Sequence, residues 1–557
     1  MPNTFAAHHI QFAVFATLFV AVTVLGFFAA RWRRPHFPES LEQWGLGGRS
    51  FGNFMTWFLL GGGLFTAYTF VAVPAEIYAG GAGFFAVSFA VIAVPLAYLA
   101  LCKFWSVVHV HGFVTPSEFV KARFGSPGLA ALVAATAIVA TMPYVALQLV
   151  GLEAVLKVMG INGKWPLWVA FGLLALYTFR AGLRAPALIS VVKDVLMLWT
   201  VLAAVVTVAM LSGAWGGFFH DAGTKFASAK PVTATMVLPD IGQFGYVTLA
   251  LGSALGLFLY PHAVTGILAA NGRKVVKRNL AALPVYTAVL AVMALLGYVA
   301  TAWPIVGADG TTRYGIAPVA NDPNTVIPAL FDTIFPSWCA GLAFAAIGIG
   351  ALVPAAIMSI AASNLFSRSI YREYLRPNAS AVEETLVSKI ASVSVLAGAL
   401  LVIVLLRTQF AVDFQLIGGV LILQIMPALG IALYSAWLHR WALIAGLLGG
   451  LLTGLVMLYR ISGTNVDGTV RAHFGGSSYK LADLGFDSKQ TVYVGIVALL
   501  VNLVICVVGT VVLRVIGVPA GADATLPDDY FVEEGGTQIR RAPELADDVA
   551  SASVGLR

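Results

Sequence analysis

Apolar stretches of about twenty residues recur along this chain from Phe12 to near Ile516, each long enough as a helix to cross roughly 30 Å of hydrocarbon. No other feature narrows its folding as much. Lipid offers no partner to a backbone N–H or C=O, so every span must be α-helical. Composition points the same way. With 557 residues, 59% of them hydrophobic and 11% charged, the chain carries more apolar surface than an ordinary water-soluble globule can bury. The spans centre on 10-30, 53-79, 84-106, 128-156, 166-181, 187-212, 244-270, 281-303, 339-366, 387-406, 414-437, 441-459 and 490-516, which predicts about thirteen transmembrane helices in an all-α polytopic protein. The first run ends in Arg31, Arg33 and Arg34 rather than at a small-residue cleavage site, and is read as a retained span, not a signal peptide.

An odd number of spans puts the termini on opposite sides, and the basic residues decide which end is inside. With the N-terminus outside, the inner loops and tail collect most of the 33 Lys and Arg residues, among them Arg49, Lys103, Arg123, Arg184, Arg273, Lys277, Arg372 and Arg440. The net charge of +7 is therefore a topology signal rather than the mark of a nucleic-acid partner. An N-out, C-in protein of a bacterial inner membrane is expected. The stretch 325-338, interrupted by Pro328 and Pro336, is too short to span and is expected to lie as an interfacial helix outside the membrane. From Pro519 onward the chain turns polar and is expected to be a disordered cytoplasmic tail. Cys102, Cys339 and Cys506 lack metal or redox spacing and read as buried, inert thiols. No loop has room for a catalytic or nucleotide-binding domain, so function must lie among the spans.

A carrier needs backbone polar groups freed at mid-membrane, and glycine or proline interruptions at matching places in two repeats are the sign of it. Two such places exist. The second span holds Gly61-Gly62-Gly63 ahead of Pro74, and the seventh holds Gly252-Ser253-Ala254-Leu255-Gly256 ahead of Tyr260-Pro261-His262. The two spans are five apart, as inverted repeats of five would place them. Close helix packing is the other use of glycine in membranes, but paired interruptions at one offset favour broken helices. Their freed amides suit an anionic carboxylate and their freed carbonyls a small cation.

The runs Trp44-Gly45-Leu46-Gly47-Gly48-Arg49, Thr66 to Ala75, Ala140 to Gly151, Ala181 to Ala187, Tyr260-Pro261-His262 and Leu352 to Ser359 resemble sodium:solute symporters, and are most similar to bacterial monocarboxylate permeases. The resemblance covers about Trp32 to Ile516. It implies a LeuT-like 5+5 inverted-repeat core over 36-440, a first helix in 1-35, two additional helices in 441-516 and the tail in 517-557. It also implies import of lactate, pyruvate, acetate or propionate, with alanine as a further candidate, by symport with Na+ or H+ and no other cofactor. The partners expected are thus a small monocarboxylate anion and the lipid bilayer, with a small companion membrane subunit left open. Proline, pantothenate or urea is the alternative cargo. A non-transporting sensor on the same scaffold is the other class, and it lacks a signalling domain here. A membrane enzyme is set aside because no His, Asp and Glu cluster at ligand spacing lies inside the spans.

Residue by residue, the resemblance places a sodium site at the carbonyls of Gly62, Phe65 and Ala356 and the hydroxyl of Ser359, neutral oxygens that suit a hard cation. Ile360 and Gly63 depart from relatives that carry a hydroxyl and an aspartate there. Asp194 aligns with an aspartate near the inner ion pathway, and a local ion pair with Lys193 or Arg184 is its alternative. For the substrate, Thr66, Tyr68, Gln148, Ser253 and Tyr260 offer neutral hydroxyl and amide groups near the breaks, with interhelical hydrogen bonding as the plainer use of each. His262 is expected to be structural, and Tyr144 to gate the pocket or simply to pack.

Overall fold

The computed structural model describes residues 8–32, 40–64, 66–84, 87–161, 163, 165–212, 215–228, 234–306, 312–406, 410–464 and 469–533. Among them are ten helices long and apolar enough to cross a membrane, and two more spans made of bent helix pairs. The one expected span not among these twelve, 166-181, is the helix Trp165–Ala181. At 17 residues it reaches about 26 Å, the short limit for a crossing.

The two bent pairs are the expected broken helices. Asn53–Gly63 meets Tyr68–Gly80 at 44°, and Asp240–Leu257 meets Pro261–Leu268 at 42°. The first break follows the three glycines. The second does not fall at Gly252 to Gly256, as the sequence suggested, because those residues stay helical and the chain turns at Tyr260. Proline explains the position: it holds the preceding Tyr260 extended (φ −62°, ψ 133°) and itself opens the next helix, where a missing N–H costs nothing. Gly252 has a packing task instead, since a Cβ there would overlap the Tyr493 ring.

Backbone bonds tie the two broken helices together at both ends. Before the first, Phe51 N–H donates to Ala269 O (3.1 Å) and Phe51 O accepts from Asn271 N–H (2.9 Å), residues that follow the second. Beyond the first, Ala82 N–H donates to Thr235 O (2.8 Å), which precedes the second. Each rod therefore begins where the other ends. Antiparallel rods with equivalent breaks are the arrangement that inverted repeats generate.

Behind them stands Ser337–Phe366, whose apolar stretch is wholly buried. It packs against His9–Ala29, Pro127–Val158, Arg184–Ser212 and Ala381–Leu406. Its Ala and Gly residues make this possible, because small side chains let helix backbones approach closely. At the periphery, Arg440–Arg460 and Val494–Val515 pack on one another, and the latter exposes Leu500, Val504, Val508 and Val511. Apolar side chains on that outer face suit lipid.

Two expectations need correction. The stretch 325-338 contains the helix Val326–Ile334, but Val326, Ile327, Leu330, Phe331 and Ile334 are buried against protein, so its apolar face is not left for an interface. The tail is not disordered throughout. Residues 519–533 run across the basic end of the bundle, where Ala524 N–H donates to Ala122 O (2.9 Å), Arg123 pairs with Asp523 (2.6 Å), and Arg273 donates to Phe531 O (2.7 Å). Tyr530 is buried there, and Asp529 meets His111 at 2.9 Å with both side chains almost fully enclosed. A segment poor in apolar residues is ordered here by charge and by one aromatic anchor. Residues 534–557 lie outside the described residues.

Candidate functional site

Two adjoining regions form around the breaks. The first is a junction of three helices, where Asn53–Leu64 meets Arg184–Ser212 and Ser337–Phe366. Glycine creates the space: a Cβ on Gly62 would stand 3.3 Å from Lys193 Nζ, 3.3 Å from Ser190 Cβ and 3.8 Å from Val353 Cγ1. Into that space Lys193 donates a hydrogen bond to Gly62 O (3.0 Å), while its ammonium lies 2.9 Å from Asp194 Oδ1. Neither side chain has any exposure. Asp194 Oδ2 accepts from Tyr286 Oη (3.0 Å). Tyr286 in turn fits because Gly61 has no side chain, since a Cβ at 61 would overlap its ring.

Of the expected cation ligands, Gly62 and Asp194 stand at this junction, and Val353, which approaches Gly62, lies one helical turn before Ala356. Gly62 O is held by the lysine. Ser359 Oγ donates to Ala356 O (2.9 Å), a bond within one helical turn. Phe65 lies outside the described residues. Asp194 forms the local ion pair with Lys193 that the sequence offered as its alternative role, while Arg184 donates to Gln43 Oε1 (2.7 Å). This arrangement does not fit a sodium ion on Gly62 O. The Lys193 ammonium already holds that carbonyl, with Asp194 as its counter-ion, and a sodium ion there would have to displace it.

The second region is a narrow cleft between the breaks. Tyr68 and Thr69 line it from the first broken helix and Leu257 from the second, with Tyr144, Tyr286 and Gln415 closing it. Tyr286 therefore faces the cleft with its ring and the ion pair with its hydroxyl. Gln415, one of the lining residues, has its side-chain oxygen Oε1 buried without a hydrogen-bond partner among the described residues.

Of the five expected substrate residues, only Tyr68 lines the cleft. Thr66 and Gln148 cap the second half-helix: Thr66 Oγ1 accepts from Tyr68 N–H (3.0 Å) and Gln148 Oε1 from Ala67 N–H (3.2 Å). The half-helix amides expected to be free are thus held by these two side chains. Tyr260, fully buried, donates to Gln415 O (3.2 Å) and packs edge-on against Tyr144. It positions two lining residues without lining the cleft itself. His262 packs against both tyrosines. Ser253 is buried one turn before Leu257. Sequence reasoning missed Tyr286 and Gln415, and it weighed Lys193 only as a partner for Asp194. Lys193 carried the one available signal, a lysine deep in an apolar run, where a charge is costly.

Comparison with known proteins follows from this geometry. The sodium:solute symporter family profile matches residues 44–454. A monocarboxylate transport permease protein of Rhizobium johnstonii is 44% identical over 506 residues, covering 89% of this chain and 95% of that relative. An uncharacterized symporter of Bacillus subtilis is 33% identical over 443 residues, covering 78% and 85%. A sodium/proline symporter of Haemophilus influenzae is 24% identical over 356 residues, covering 62% and 69%. Among solved structures, a Na+-coupled sialic acid symporter in a substrate-bound outward-open state aligns with a TM-score of 0.68 at 15% identity, covering 93% of this chain and 99% of that one. That likeness is one of fold.

Proposed function

Because the chain belongs to the sodium:solute symporter family, we propose that it imports small monocarboxylates, such as lactate, pyruvate, acetate or propionate, by symport with a cation, Na+ or H+. The observation that carries this reading is the cleft itself: it lies between two broken helices and joins neutral hydroxyl and amide groups to apolar walls from Phe89, Ala90, Leu257 and Leu290. A short acid presents one carboxylate and a small apolar body. Pocket sites of this kind take apolar bodies by shape and orient them with a few polar groups.

The name of the Rhizobium johnstonii relative supports the same substrate class. The carboxylate would be received by the tyrosine hydroxyls, or by the Ala67 and Tyr68 amides once Gln148 and Thr66 give way. In this reading the protein lies in a bacterial inner membrane, with its N-terminus periplasmic and its tail cytoplasmic. The basic loops support that orientation. Access alternates as one repeat rocks against the other around the cleft.

The likeness to sodium/proline symporters keeps an amino acid as the second candidate. Uptake of labelled pyruvate by proteoliposomes, competed by excess lactate, proline or pantothenate, separates them. The monocarboxylate reading predicts competition by lactate alone. Competition by proline or pantothenate with no effect of lactate would defeat it.

A further inference from the structure

We propose that the ammonium of Lys193 is a built-in cation that stands in for sodium at the junction of the three helices, so that sodium does not bind at this junction and does not drive uptake. The inference rests on the transport reading above for its functional half, and on geometry alone for its binding half.

Four observations meet here. Lys193 Nζ lies 3.0 Å from Gly62 O, the carbonyl just before the first break that the family resemblance offers to sodium. The side chain has no exposure, so this ammonium is a fixed part of the interior and not a surface charge folded inward. Among the described residues, the Ser359 hydroxyl is turned onto its own helix, where it donates to Ala356 O. Finally, the charge is balanced locally by Asp194 Oδ1 at 2.9 Å, which leaves no net negative charge at the junction to attract a second cation. An ammonium presents a unit positive charge to carbonyl oxygens as sodium does, but from a tether on Arg184–Ser212 it cannot leave with the solute.

The ion pair is also wired to the cleft. Tyr286 holds Asp194 Oδ2 at 3.0 Å and its ring lines the cleft, where a bound sodium would otherwise report to the solute site through the broken helix. The built-in charge thus braces the first break, the Lys193 helix and the cleft wall at once, without an ion from solution.

The test is sodium binding by the purified full-length protein in detergent. Binding of 22Na+ is measured at equilibrium, and the thermal midpoint is compared in sodium chloride and choline chloride at equal ionic strength. The wild-type protein is expected to show no saturable 22Na+ binding and the same midpoint in both salts. Saturable binding that disappears in Ser359→Ala would overturn the proposal, because sodium would then occupy the junction despite the lysine. Lys193→Ala, which frees the space and leaves Asp194 without its counter-ion, is expected to gain saturable binding and a sodium-dependent rise in midpoint. If that variant folds and gains neither, the lysine is not what excludes sodium. The wild-type measurement decides the matter even if Lys193→Ala fails to fold. It needs no substrate, so absence of pyruvate uptake under every condition would sink the transport reading and leave the sodium result standing.

Discussion

Gly61, Gly62 and Gly63 stand side by side, yet their surroundings set them different tasks. A methyl group on Gly61 would collide with the Tyr286 ring, one on Gly62 would press on Lys193 and Ser190, and one on Gly63 would meet nothing within 4 Å. Gly61→Ala should therefore cost about 1–3 kcal/mol through overpacking, whereas Gly63→Ala should stay within about 0.5 kcal/mol of the parent. Thermal unfolding in detergent checks both, and equal losses at the two positions would contradict the packing described here. Asp194 carries a larger weight. Removing one partner of a buried ion pair leaves the other charge uncompensated, so Asp194→Ala should destabilise by about 3–5 kcal/mol and lower uptake by at least about tenfold. A variant with parental stability would show that the pair is not buried as described.

The breaks are properties of whole elements. Pro261 keeps Tyr260 extended, and Tyr260 fixes Gln415 and Tyr144 at the cleft. Pro261→Ala relieves that restriction and lets the two helices approach one continuous rod. Alanine is tolerated where proline opens a helix, so stability should change by less than about 1 kcal/mol while initial uptake of pyruvate falls about tenfold. Stability and uptake measured on one preparation separate the effects, and unchanged uptake would mean that the break does not depend on the proline. How far these elements were legible in the sequence differs between them. Apolar runs and paired interruptions are local patterns, and they placed the spans and both broken helices. The second break was read one turn too early because Gly252 to Gly256 resemble a flexible hinge. The neighbours that these glycines accommodate, Tyr493 beside Gly252 and Ile422 beside Gly256, lie far away in the chain and leave no local trace. For the same reason Tyr286 and Gln415 escaped notice: their partners are distant in the chain, Asp194 lying 92 residues before Tyr286 and Tyr260 155 residues before Gln415. Lys193 was visible as a buried charge, but its bond to Gly62 O joins two distant spans and is fixed only by the fold.

At the scale of the molecule, two antiparallel broken rods are tied to each other at both ends and braced by a wholly buried helix, while the ordered part of the tail crosses the basic end. The tail is a structural part of that end. Removing residues from 519 onward would strip away the buried Tyr530 ring and the partners of Arg123, His111 and Arg273, and should cost at least about 2 kcal/mol of stability. An unchanged unfolding midpoint after truncation would show the contacts to be weak. If, as proposed, the cleft takes a small monocarboxylate and the Lys193 ammonium stands in for sodium at the junction, the proton gradient is left to drive uptake. The most direct test of that claim is accumulation of labelled pyruvate in proteoliposomes with pH and sodium gradients imposed separately. An inward proton gradient in sodium-free medium should drive pyruvate above its equilibrium level, and a sodium gradient without a pH gradient should not. Accumulation under the sodium gradient alone, or under neither, would contradict it.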